Sequence, residues 1–129
     1  MKPSNFQFTN PVLTETRFVV NNMFRKEEEI QIPIQINAAN NWDKKSCRAA
    51  AQLVVSIGQE TEDFPYFLQV VINADFKWEE NAYEEKDITN LLNQNAPALL
   101  LSYARPIIAC ITNASPFPVQ NLPYFDFTK

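Results

Sequence analysis

Few side chains in this chain could move a proton. Histidine is absent from all 129 residues, which removes the usual general acid/base near neutral pH and the commonest zinc ligand. Ser-His-Asp and Cys-His mechanisms are thereby excluded. What remains is carboxylate and phenol: Asp75, Asp126 and Tyr103 could transfer protons in a small enzyme or ligand-binding protein, but the sequence shows no cluster of catalytic types at a meaningful spacing. The single glycine, Gly58, excludes a Walker loop and a GxGxxG fingerprint, since each needs several glycines to bring backbone against phosphate. Cys47 and Cys110 form no CxxC pair and are expected to be reduced, mostly buried thiols. No catalytic residue, cofactor or metal is expected, and the chemistry on offer is apolar contact.

The composition supplies that contact in quantity. Hydrophobic residues make up 46% and charged residues 20%, an ordinary globular balance that predicts a folded chain. Its length suits one core and hence a single domain over residues 1–129. A net charge of -4 argues against nucleic acid, which selects clustered Lys and Arg. The N-terminus shows no apolar signal region, and the apolar stretch from Ala96 to Ile111 is interrupted by Ser102, Arg105 and Pro106 and is too short to span a bilayer. A soluble, cytoplasmic protein without membrane insertion is expected.

The elements that must position these residues divide by period. Alternation over Thr14 to Val20 predicts a first strand. In Glu29 to Asn37 the isoleucines Ile30, Ile32, Ile34 and Ile36 alternate with polar residues and share one face of a second. Pro33 falls within it and cannot donate to a ladder, so an edge strand or a bulge is implied. Arg48 to Ile57 and Tyr66 to Trp78 read as two further strands, joined as a hairpin through Gly58 and the acidic turn Gln59 to Asp63. The run Arg25 to Glu29 reads as a solvated loop.

Beyond Trp78 the period becomes helical. Ile88, Leu91 and Leu92 predict a short helix that stops before Asn95-Ala96-Pro97, and a second helix starts near Pro97 with a stripe from Leu99 to Ile111. Pro106 interrupts that stripe at a cost of about 3 kcal/mol unless a kink or packing offsets it. From Ser115 on, prolines forbid regular helix while Phe117, Leu122, Tyr124, Phe125 and Phe127 need something to pack on. Strands followed by helices give the α+β class: a four-stranded antiparallel sheet followed by one or two helices packed on one face. Its second face would carry Val19, Val54, Phe67 and Val71 among polar residues.

Leu101-Ser102-Tyr103-Ala104-Arg105, then Phe117-Pro118, then Leu122-Pro123-Tyr124-Phe125-Asp126-Phe127 resembles the C-terminal signature of the SecB protein-export chaperones. That family has an aromatic-Ala-Arg step on a helix, a Phe-Pro turn, and a Leu, Pro, Phe-Asp stretch. The turn at Ile57-Gly58-Gln59-Glu60 and the strand end Ala74-Asp75-Phe76 also fall where the family has its own. The motif covers a small part of the chain and the strand succession nearly all of it. Pro106 follows the arginine where an acid is usual, Ala74 replaces a glycine, Gln59 replaces an acid, and the second C-terminal helix and tail are missing.

The resemblance implies an ATP-independent holdase chaperone, a dimer of dimers, and apolar grooves that take unfolded or extended polypeptide clients. It implies that Met23 and Phe24 belong to a crossover segment lining such a groove, or else pack on the sheet. Ile30, Ile32 and Ile34 on a sheet edge, with Phe117, Leu122, Tyr124 and Phe125 in the tail, complete the candidate client-contact set; for the tail residues the alternative is simple cover for the helix. Ile57, Gly58 and Glu60 occupy the turn that family members offer to the motor SecA. The departures make coupling to a SecA-type motor doubtful and favour a chaperone of unknown or restricted client, such as an antitoxin. A protein that keeps this fold purely for structure or interaction is the competing reading.

Overall fold

The computed structural model describes residues 1–24 and 31–128. The sheet contains β1 (Gln7–Phe8), β2 (Val12–Val20), β3 (Ile34–Trp42), β4 (Arg48–Gly58) and β5 (Tyr66–Lys77). All pairings are antiparallel. β5 lies between β4 and an edge shared by β1 and β2, and β3 forms the other edge. The sheet is thus four ribbons wide, its first ribbon split in two, as the α+β expectation required. β4 and β5 pair from Arg48↔Lys77 to Gly58↔Phe67, which confirms the hairpin.

Two strand boundaries differ from expectation. β2 begins at Val12 and carries a bulge between Leu13 and Glu15. The isoleucine strand was expected over Glu29 to Asn37, but β3 starts at Ile34 and runs on to Trp42. Pro33 stands just before it, where its carbonyl accepts from the Gly58 N–H at 2.9 Å and its missing donor costs no ladder bond. Asn37 to Asn41 are poor strand formers in isolation, yet each pairs with β4, so a long partner overrides local preference. Ile30 and the run Arg25 to Glu29 lie outside the described residues.

The helical region is also more continuous than its sequence suggests. α1 (Glu85–Asn90) passes through a π-helical turn (Leu91–Asn95) into α2 (Ala96–Asn113). The junction residues keep right-handed helical dihedrals, and the Ala96 N–H reaches back to the Leu91 carbonyl, a five-residue step. Asn95-Ala96-Pro97 therefore does not end the helix. The wider turn takes up the strain that Pro97 would impose on the turn before it. α2 also runs through Pro106, which is solvent-exposed; water can satisfy the Ser102 carbonyl it leaves free, because Ser102 is exposed too.

Among the described residues, one face of the sheet is covered. Leu53, Val55, Ile57, Leu68, Val70, Ile72 and Phe76 are at most 1% exposed beneath the helix. Ile88, Leu92, Ala96, Leu100, Ala104, Ile108 and Thr112 are buried on the helical side, every fourth residue. Thr112 satisfies its hydroxyl on the Ile108 carbonyl at 2.8 Å. On the opposite face no element packs among the described residues, although Val71 is 7% exposed within its own neighbourhood.

Candidate functional site

At one end of the sheet, where β2 finishes beside the start of β5, the chain turns away under firm local control. The Asn21 N–H donates to the Pro65 carbonyl at 2.8 Å, its side-chain amide donates to the Phe64 carbonyl at 3.1 Å, and its side-chain oxygen accepts from the Met23 N–H at 3.1 Å. This places Met23 in solvent, 79% exposed. Phe24 turns inward and meets Phe117 edge-on at 6.1 Å. Phe117 lies on Tyr66 at 6.1 Å, and Tyr66 meets Phe18 at 5.7 Å. A crossover segment, two strands and the tail thus contribute one aromatic ring each.

The tail is held by its backbone. The Gln120 N–H donates to the Thr112 hydroxyl at 2.9 Å, and the Ser115 hydroxyl caps the helix end on the Thr112 carbonyl at 2.6 Å. The Arg105 guanidinium donates to the Leu122 carbonyl and lies 5.2 Å from the centre of the Tyr124 ring. Arg105 is therefore a structural anchor for the tail. Tyr124 is 94% exposed even so. Asp126 accepts from the Thr128 hydroxyl and N–H, which holds its carboxyl below the ordinary value.

The turn after β4 is more constrained than its candidate role suggests. Ile57 is in the core. Gly58 has φ +75°, and a Cβ there would fall 2.0 Å from the Tyr66 carbonyl oxygen. Only glycine satisfies both the left-handed dihedral and that approach. Glu60 is exposed but paired with Arg17, whose Nε donates at 2.8 Å. Met23 and Glu60 border the same open depression of about 420 Å³, together with Val19, Val20 and Tyr66.

The structure brings together Phe24 and Phe117, leaves Met23 in solvent beside them in the chain, and sets Ile32 beside Gly58. Ile34 and Phe125 are half-buried against the same core. Leu122 does not join this surface: it is 3% exposed and belongs to the core, which corrects its place in the client-contact set. Sequence reasoning missed Tyr66 and Phe18 as members of the cluster. The available signal was an aromatic residue at a strand's first position, next to Pro65, in a chain already rich in phenylalanine.

The residues that could have served an enzyme are dispersed. Asp75 is exposed on the uncovered sheet face beside Thr9, Asp126 is exposed in the tail, and Tyr103 stands on α2 against Phe8. No group of three or more acidic, thiol or imidazole side chains that could hold a metal exists among the described residues. Cys47 and Cys110 are free thiols; Cys110 is exposed on α2 rather than buried as expected. No described helix is long and apolar enough to cross a membrane. A depression of about 770 Å³ lies at the far end of the sheet beside Arg48, Lys77 and Trp78, away from the candidate residues.

The same overall fold occurs in a solved structure from Mycobacterium tuberculosis. This chain superposes on the SecB-like chaperone Rv1957, solved in complex with a ChAD peptide from the HigA1 antitoxin Rv1956, with a TM-score of 0.74. The match covers 93% of this chain and 90% of that one at 13% identity. The fold is SecB-like. No family model matches the sequence. Among curated proteins, the uncharacterized protein MJ0357 of Methanocaldococcus jannaschii is 24% identical over 120 residues, 91% of this chain and 76% of that protein. The SecB-like fold is thus carried here by a divergent sequence, in keeping with the resemblance read from Leu101 to Phe127.

Proposed function

We propose that this protein is an ATP-independent holdase that binds extended or unfolded polypeptide at the crossover end of the sheet. The observation that carries the reading is the run of rings Phe18, Tyr66, Phe117 and Phe24, opening onto an exposed Met23. Apolar burial contributes about 25 cal/mol per Å², so a client segment covering about 200 Å² would gain roughly 5 kcal/mol before ordering costs. The outer edge of β3 has no strand partner among the described residues, and an extended client could add its backbone there. Ile32, Ile34, Tyr124 and Phe125 would extend the contact surface.

The fold shared with an antitoxin-binding chaperone supports a restricted client over general service to export, and it supports a non-enzymatic role. Coupling to a SecA-type motor has less behind it, because Ile57 and Gly58 are buried and Glu60 is engaged by Arg17. We further propose a cytoplasmic dimer of dimers, for which light scattering is decisive: a strict monomer at micromolar concentration refutes it. The holdase itself is tested by refolding a slow-folding client without ATP. The wild-type protein should delay refolding or suppress aggregation, and Phe24→Ala should weaken the effect. No effect on any client at stoichiometric protein would leave the competing reading, an interaction protein on this fold.

A further inference from the structure

The Tyr66 phenol is the one buried side-chain polar atom among the described residues that lacks a hydrogen-bond partner. The residue is 1% exposed. Its ring is enclosed by Phe18 at 5.7 Å and Phe117 at 6.1 Å, and Phe117 is in turn covered by Phe24 at 6.1 Å. An apolar core normally places Phe at such a position, because a hydroxyl removed from water without a partner destabilises the fold. Burial also pushes the phenol pKa up from 10.0, so the group stays a protonated donor throughout the physiological range.

Part of what packs on the Tyr66 ring lies outside the sheet: Phe117 touches it directly and Phe24 backs Phe117, while Phe18 belongs to β2. Phe24 and Phe117 sit in the crossover and the tail, neither of which is part of the sheet ladder. The ring beneath them belongs to β5, hydrogen-bonded on both sides. Displacing these two rings would open one side of the Tyr66 ring without breaking a strand. An apolar ligand alone would leave the hydroxyl unsatisfied, whereas a polypeptide brings a carbonyl oxygen at every residue.

We propose that Tyr66 is a concealed hydrogen-bond donor for the client, its O–H donating to a backbone carbonyl of an extended polypeptide that displaces Phe24 or Phe117. This rests on the holdase reading and adds to it: the client is held by main chain as well as by apolar side chains, so the site favours extended segments over compact apolar surfaces. Backbone recognition of this kind is indifferent to client side-chain identity at that one position.

The test uses Tyr66→Phe in the full chain, which removes the oxygen and keeps the ring. The probes are a permanently unfolded polypeptide, reduced and carboxymethylated α-lactalbumin, and the apolar dye bis-ANS, which reports the same aromatic surface. The expected result is client binding weakened about three- to tenfold, dye binding unchanged, and a urea midpoint equal to or above wild type. Equal client affinity in the variant overturns the proposal and makes the hydroxyl a purely structural defect. Parallel loss of dye and client binding also overturns it, since that indicates altered packing. If the wild-type protein binds no client, the holdase reading fails first and this inference with it.

Discussion

The two ends of the sheet carry aromatic clusters of similar size and opposite construction. At one end Phe6 stacks on Phe76 at 5.1 Å and on Trp78 at 5.9 Å, and Trp78 meets Trp42 at 5.8 Å. Polar ties run beside it: the Trp42 indole donates to the Ser46 carbonyl at 3.0 Å, and the Glu79 N–H donates to the Asn5 side chain at 2.7 Å. β1 fastens this end to the ladder through Phe8↔Phe76. At the other end the Phe24–Phe117 lid is carried by irregular segments, the hydroxyl beneath is unpartnered, and Met23 is in water. The contrast teaches that aromatic content alone does not mark a binding surface. The difference lies in the sheet ladder, which holds Phe76 at the first end through β1 but includes neither Phe24 nor Phe117 at the other.

Substitutions at each end should break or sharpen this contrast. Phe76→Ala, at the fastened end, removes a side chain that is 1% exposed and should cost about 3–5 kcal/mol in urea denaturation. If it costs less than Phe117→Ala, the distinction between the ends is wrong. Gly58→Ala tests the floor of the open end: with φ +75° and a 2.0 Å approach to backbone, it should lose about 2–3 kcal/mol, again read by urea denaturation. Phe117→Ala, half-buried, should lose only about 1–2 kcal/mol because less area leaves water, while most holdase activity in an aggregation assay disappears.

Arg105→Met keeps the aliphatic stem but removes the donor to Leu122 and the cation above Tyr124. It should cost about 1 kcal/mol and speed proteolysis within residues 115–128. The smallest effect concerns pH. Burial raises the Tyr66 pKa in the folded state, so its contribution is fully present below the unfolded value near 10 and is lost as pH rises toward the folded value. Melting temperature should therefore fall above about pH 10 in wild type, and less steeply in Tyr66→Phe.

The fold was largely legible because the core strands carry clean alternation. Leu53, Val55 and Ile57 share one phase, as do Leu68, Val70 and Ile72, and all are buried. Where the reading slipped, a longer-range partner outweighed local preference: β4 carries β3 through Asn37 to Asn41, and the π-helical turn carries the helix past Pro97. The candidate site was legible only in part. Met23, Phe24 and Phe117 were named from a resemblance; the structure sets Phe24 against Phe117 and leaves Met23 in solvent. Tyr66 stayed hidden because alternation assigns a strand residue to a face but cannot show whether its hydroxyl finds a partner. Leu122 was misplaced because a proline-rich tail gives no period from which burial can be read.

The helix poses a problem of phase. Its buried residues recur every fourth position from Ile88 to Thr112, while an α-helix turns by roughly 100° per residue, so each four-residue step overshoots by roughly 40°. Uncorrected, the apolar line would wind around the axis and leave the sheet. The turn at Leu91–Asn95 absorbs one residue without advancing the rotation and sets the line back by roughly 100°. It acts as a leap day in a calendar that runs slightly fast. Forcing ordinary helix through this segment at its present length would swing Ile88 and Leu92 off the sheet, whereas deleting one residue there should restore ordinary helix and keep them on it, so the spacing of this segment is as much part of the fold as its composition.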